Sequence, residues 1–196
     1  NETNYWRRYQ TKYYEYSKEI KKPTSALGFS SSTRRYLDRR IWRYLSNKAA
    51  LGDMDYIKMS VAFLMHFTDE DRKEESAYSA NSTELGKCWA LNKILFSDSK
   101  RIAFEGNVAK YVVNKKTPDS KANRNAPPKT REEAHSKMWD ALPQAALHLI
   151  AESHCKEVNE FALKVINEHL NTLLPMIDLK LILAFIGKKH TKTAQF

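Results

Sequence analysis

The nonapeptide Leu142-Pro143-Gln144-Ala145-Ala146-Leu147-His148-Leu149-Ile150 returns 32 residues later as Leu174-Pro175-Met176-Ile177-Asp178-Leu179-Lys180-Leu181-Ile182, so the pattern L-P-x-x-x-L-x-L-I occurs twice. Proline is tolerated in the first turn of a helix, where its missing N–H would have had no partner, and it fixes where the helix begins. Between the copies, Ser153 offers an N-cap, and Val158, Phe161, Ala162, Val165, Ile166 and Leu170 recur at spacings of three or four. The predicted unit is helix, turn, helix, with a second unit truncated at Phe196. A period between about 20 and 50 residues is what stacked helix pairs generate, because one pair alone cannot cover its apolar face. The recurrence therefore predicts an all-α chain, a right-handed stack of antiparallel helix pairs forming an α-solenoid fragment.

The rest of the chain reads the same way. Trp6, Tyr9, Tyr13, Tyr16 and Ile20 make one aromatic stripe on a helix over 5–20, which Pro23 and Gly28 end. Ser30, Ser31 and Ser32 offer caps for a helix from about Thr33 to Leu51 whose apolar side is Leu37, Ile41, Trp42, Tyr44 and Leu45. Gly52-Asp53 starts the next, carrying Tyr56, Met59, Val61, Ala62, Leu64, Met65 and Phe67 and reading as buried on most sides. The acidic run Asp69 to Glu75 is predicted to be a solvated connection. Asn81 and Glu84 then stand three apart like a capping box before Leu85, Cys88, Trp89, Leu91, Ile94 and Leu95. Residues 101–113 fit either a short helix or a strand pair turned at Gly106-Asn107. Thr130-Arg131-Glu132-Glu133 has capping-box spacing ahead of Met138, Trp139 and Leu142.

Charge divides the chain. Residues 1–60 carry 13 Lys/Arg against 6 Asp/Glu and residues 114–130 carry 5 against 1, whereas 61–113 and 131–196 are close to neutral, within a total of +10. The stretch 114–130, with three prolines and almost no apolar residues, cannot bury itself and is predicted to be a basic linker or mobile loop. The predicted organisation is a basic helical region over 1–113, this linker, and a helical-repeat region over 131–196. Any acidic partner is expected at the N-terminal helices and the linker.

With 42% apolar residues, only 5 Gly and 6 Pro, and four Trp and ten Tyr spread along it, the chain is long enough for a real core. No apolar stretch approaches the roughly 20 residues of a spanning helix, so a membrane is not among the expected partners. Two cysteines 67 residues apart, Cys88 and Cys155, read as buried thiols in a reducing cytoplasm. The chain opens Asn-Glu-Thr without a leader and closes without a helix stop, and both ends read as cuts in a longer polypeptide.

The run Ser32 to Leu45, STRRYLDRRIWRYL, followed by Asp55-Tyr56-Ile57-Lys58, resembles the HEAT-like helical region of bacterial WGR-domain, molybdate-regulator-like proteins. So do Met138 to Pro143 and Ser153 to Ala162, and the resemblance spans about residues 30–170. The Trp-Gly-Arg module that names the group is absent from this chain. What the resemblance implies is a scaffold with HEAT-like architecture, and no catalytic site.

Catalytic motifs are missing: there is no Gly-rich phosphate loop, G-K-S/T, G-x-S-x-G, H-E-x-x-H or paired-cysteine spacing. His154-Cys155 invites a metal or nucleophile reading, but neighbours on a helix point about 100° apart, so His at the surface and Cys inward is preferred. His66 reads as a core or helix-end residue. The acidic group Asp69, Glu70, Asp71, Glu74 and Glu75 lacks the glycine and alternating ligands of a calcium loop. No catalytic residue, cofactor or metal ligand is assigned.

Arginine carries the sharper pattern. Arg35, Arg39 and Arg43 recur every four residues, flanked by Arg34 and Arg40, and Arg7, Arg8 and Lys12 form a shorter cluster on the preceding predicted helix. Guanidinium groups bond phosphate oxygens bidentately, and exposed tyrosines beside them would stack on bases. The bland alternative keeps these arginines in water or pairs them with acids such as Asp38. The sequence reading is thus a non-catalytic helical-repeat scaffold meeting a protein partner or other domains of the same polypeptide. The alternatives are a DNA- or RNA-binding module without sequence specificity and a support domain for an enzyme located elsewhere.

Overall fold

The computed structural model describes residues 31–73, 85, 88–106, 108–112 and 130–186. They form α1 (Ser31–Ala50), α2 (Asp55–Leu64), α3 (Asp69–Lys73), α4 (Trp89–Phe96), β1 (Ile102–Glu105), β2 (Val108–Tyr111), α5 (Ser136–Ala141), α6 (Gln144–Glu152), α7 (Lys156–Glu168), α8 (Leu170–Leu173), a 3-10 turn (Leu174–Met176) and α9 (Leu179–Ile186). The fold is mostly helical with one small antiparallel hairpin. The aromatic helix expected over 5–20, the capping box at Asn81 and Glu84, and residues 114–129 lie outside the described residues.

The chain divides into two compact units, Asn1–Arg40 and Ile41–Phe196, and α1 runs from one into the other. In the first unit the described residues are the N-terminal half of α1. The second unit has a core supplied by α2, α4, α5, α6 and α7. Helix α2 buries Tyr56, Ile57, Ser60, Val61 and Leu64, a stripe at helical period, while Lys58, Met59 and Ala62 face water, so it is buried on one side only. Helices α6 and α7, joined through Ser153, His154 and Cys155, form the closest helix pair. Trp139 of α5 is fully buried, its ring meeting Phe161 at 4.8 Å and Tyr56 at 6.2 Å, both edge-on. Edge-to-face aromatic pairs contribute about 0.5–1.5 kcal/mol beyond the area they bury.

Within 101–113, Ile102–Glu105 and Val108–Tyr111 adopt the strand reading. Ile102 pairs with Tyr111 and Glu105 with Val108, and Gly106 takes φ 57° at the turn, which glycine adopts without Cβ strain. Leu85 and Cys88 lie outside α4, Cys88 extended as its N-cap and the Leu85 N–H donating to the Ala109 carbonyl at 2.8 Å. The hairpin packs on α4 through Trp89 and Phe104, 5.3 Å apart, with the Lys93 ammonium 3.7 Å from the Phe104 centroid.

Several expectations are corrected. The acidic run begins as a short helix, α3, and Asp69 accepts the Lys156 N–H at 2.7 Å, tying α3 to the first turn of α7. Ser153 does not N-cap α7; it is the C-cap of α6, its hydroxyl accepts the Cys155 N–H at 3.2 Å, and α7 starts after Cys155. The two halves of the sequence echo differ in shape. In 142–150, Pro143 leads directly into α6, whereas in 174–182 the chain makes a 3-10 turn, extends at Ile177 and restarts at Leu179, where Asp178 accepts the Leu181 N–H at 2.8 Å. An aspartate in the second copy offers a local cap that glutamine and alanines in the first do not.

The largest correction concerns Thr130 to Glu133. No helix starts there. The chain runs without regular structure to His135, which has φ 55°, and α5 begins at Ser136. Glu132 and Glu133 are buried. Glu132 receives Arg101 through Nε at 2.6 Å and Nη2 at 2.9 Å, Ser99 Oγ at 2.7 Å and Lys164 Nζ at 3.3 Å. Burial alone would raise its pKa, but the bonds from Arg101 and Ser99 outweigh it and hold the carboxyl below its ordinary value. Glu133 accepts from Arg131, which also reaches Asp140 and, at 2.9 Å, Glu168. The backbone is engaged too: the Ala134 N–H donates to the Ile94 carbonyl and the Asp98 N–H to the Glu132 carbonyl, both at 2.9 Å, and Tyr56 O–H donates to the Ala134 carbonyl at 3.2 Å.

Substituting Glu132→Gln leaves Arg101 without its counter-charge. Urea unfolding is expected to lose about 3 kcal/mol, the lower end for breaking a buried pair because Arg101 keeps some access to water. The folded carboxyl ionises at lower pH than the unfolded one, so its contribution is present above about pH 4.3 and disappears as pH falls further. Wild type should therefore lose stability in acid more steeply than the variant. His135, packed 5.3 Å from the Tyr56 ring and 3.2 Å from Ser46 Oγ, has its pKa lowered by burial. Its neutral form is favoured in the fold, so this contribution is present above about pH 6.5 and is lost as pH drops below it. In His135→Asn, which retains tolerance of the left-handed backbone, the change in melting temperature between pH 7 and pH 5 should shrink.

Candidate interaction surface

Helix α1 carries Arg34, Arg35, Arg39, Arg40, Arg43 and Lys48 against a single acid, Asp38. A four-residue interval advances about 40° around the axis, so Arg35, Arg39 and Arg43 drift slowly along one side. All three are exposed, as is Arg40. Arg34 lies on the same helix with its side chain outside the described set, and Arg7, Arg8 and Lys12 lie outside the described residues.

The expected apolar side of α1 is corrected. Of Leu37, Ile41, Trp42, Tyr44 and Leu45, only Leu45 is buried and Trp42 half-buried; Ala49 completes the contact with the core. Tyr36 and Tyr44 are 47% and 50% exposed. They stand eight residues apart with Arg40 midway, which gives the second side of the helix an alternation of ring, guanidinium and ring. Arg40 Nη1 donates to the Tyr36 hydroxyl at 3.3 Å, and Lys48 Nζ lies 5.9 Å from the Tyr44 ring centroid. Sorting residues by hydropathy places Tyr44 with the leucines. Its spacing from Tyr36 and Arg40 is the sequence signal that places it with the arginines.

Lys48 differs from the arginines. It pairs with Asp53 at 2.6 Å, which raises its pKa and lowers that of Asp53, while the other oxygen of Asp53 accepts the Asp55 N–H at 2.9 Å. This pairing fixes the turn from α1 to α2.

Two other clusters carry ligand-type atoms. Asp69, Cys155 and Glu157 bring an oxygen, a sulfur and an oxygen within 4.8 Å of one another, as do donor atoms of Asp140, Glu168 and His169. In the first, Asp69 caps α7 and the Cys155 thiol points at Glu157 Oε2, 3.4 Å away. In the second, Arg131 already supplies the cation, and His169 Nε2 lies 2.8 Å from Asp140. Burial would raise the Asp140 pKa, but its bonds from His169 and Arg131 lower it. His154 is exposed and Cys155 buried, as their adjacency predicts, and His66 is exposed just beyond α2. Both cysteines are thiols.

A different surface lies on α9, where Leu179, Ile182, Leu183 and Ile186 are exposed and Phe185 alone is buried. Comparison with family models, with curated proteins and with solved structures found no match. Among the described residues no helix is long and apolar enough to cross a membrane.

Because Arg35 and Arg43 project into water, Arg35→Ala and Arg43→Ala should each leave the unfolding free energy within about 0.5 kcal/mol of wild type, measured in urea at neutral pH. A larger loss would reassign the ridge to holding the fold.

Proposed function

We propose that the chain is a non-catalytic helical interaction scaffold and that α1 is the element that meets the partner. The single observation carrying this reading is the exposure of four arginines and two tyrosines on a helix whose only acid is Asp38. Guanidinium groups recognise carboxylate and phosphate oxygens bidentately, so the partner is acidic. A run of phosphates suits a row of arginines repeated every 6 Å or so along a helix better than scattered surface carboxylates do. Nucleic acid bound through its backbone is the ligand class this reading favours. The resemblance of 32–45 and 138–162 to HEAT-like regions supports a stacked-pair architecture, and the close packing of α6 on α7 accords with it.

A second reading, docking of a protein partner, is favoured by the exposed apolar residues of α9. The two are separable because one depends on charge and the other does not.

Binding of labelled duplex and single-stranded oligonucleotides should be measured over a salt series, beside a variant in which Arg35, Arg39 and Arg43 are all changed to Glu. Affinity is expected to fall steeply with salt, by roughly one power of salt concentration for each phosphate contact, and to collapse in the variant. A flat salt response, or equal binding by the variant, removes the nucleic-acid reading.

A further inference from the structure

We propose that the nucleic acid held by α1 is single-stranded, with Tyr36 and Tyr44 as stacking platforms for its bases and the arginines as seats for its phosphates; the inference rests on the nucleic-acid reading above. Residues 36, 40 and 44 follow one line along the helix and residues 35, 39 and 43 another, about 100° away. Positions 36 and 44 lie about 12 Å apart along the axis, with Arg40 midway in the helix and its guanidinium donating to the Tyr36 hydroxyl. A chain laid along α1 therefore meets a row of cations and a row of rings side by side.

This pairing discriminates between acidic partners. In a duplex the base faces are already stacked inside, so an exposed tyrosine reaches them only by unstacking a step. A single strand offers phosphates and open base faces together, and every base has a face on which a tyrosine can stack, so no sequence preference is required. A carboxylate-rich segment would pair with the arginines without offering a flat face to either ring, each about half exposed. Arg40, bonded to the Tyr36 hydroxyl, places a cation beside that ring and adds attraction for the same polyanion.

The test uses the 196-residue chain, fluorescence anisotropy and three probes: an oligothymidylate, a DNA duplex of equal length and poly-L-glutamate. Two variants are compared, Tyr36→Leu with Tyr44→Leu, which removes both rings, and Tyr36→Phe with Tyr44→Phe, which keeps them; circular dichroism reports the helix content of each. Expected is tighter binding of the oligothymidylate than of the duplex, a loss of about 5- to 150-fold per ring in the leucine pair, retention in the phenylalanine pair, and an unchanged salt slope in both. Should the leucine pair lose helix, Tyr36→Gln and Tyr44→Gln singly replace it, with the same expectation per ring. Equal binding of duplex and single strand, or leucine variants that bind like wild type, overturns the stacking inference while leaving backbone-driven binding in place. Equal, tyrosine-independent binding of poly-L-glutamate overturns it in favour of an acidic protein. Absence of salt-dependent binding to all three probes overturns the proposed function and this inference together.

Discussion

Two adjacent carboxylates withdrawn from water determine how the second unit is put together. Burying a charge costs several kcal/mol unless it is paired and its remaining lone pairs are bonded. Glu132 meets that condition only because Arg101 arrives from the segment leading into β1, Ser99 from the turn after α4 and Lys164 from the third turn of α7. One side chain therefore fixes three separate parts of the chain relative to one another. Glu133 and Arg131 do the same for the ends of α5 and α7, through Asp140 and Glu168. The backbone of 132–134 adds bonds to Ile94 and Asp98, so this irregular segment is held on all sides by polar contacts that need their partners in place together.

That arrangement explains which parts of the fold were legible in the sequence. Apolar periodicity located α2, the buried line of α7 and the start of α6, because spacing of three or four is a local property that packing then uses. It failed at Thr130 to Glu133 because a capping box and a buried ion pair look alike locally. The distinction lies in Arg101, 31 residues away, and Lys164, 32 residues away, and no window around Glu132 contains them. The echo of 142–150 in 174–182 misled for a related reason. Apolar residues repeat faithfully, but Asp178 in place of Ala146 gives the backbone a local acceptor, and the helix restarts beyond it.

The interaction surface was half legible. The four-residue recurrence of arginine survives in the structure as an exposed line of Arg35, Arg39 and Arg43. Tyr36 and Tyr44 were harder to place. Tyrosine serves cores and surfaces about equally well, since its ring is apolar and its hydroxyl is not. Only burial decides, and α1 contacts the core through Leu45, Ala49 and half of Trp42, which leaves the tyrosines on the outer side.

The placement of charge follows from the same two facts. Ion pairs consume cations locally: Arg101 and Lys164 on Glu132, Arg131 on Glu133, Asp140 and Glu168, and Lys48 on Asp53. Among the described residues these pairings nearly neutralise the neighbourhood of the core. On the described part the excess in the first 60 residues is concentrated on one helix, where five arginines face a single aspartate. A field concentrated in this way attracts a polyanion over about a Debye length, ~8 Å at physiological salt, and turns it toward the arginines before contact. Short-range contacts with the rings act only after that approach. Under the proposed function, charge would govern the rate and salt dependence of encounter, and the tyrosines would govern which polyanion stays.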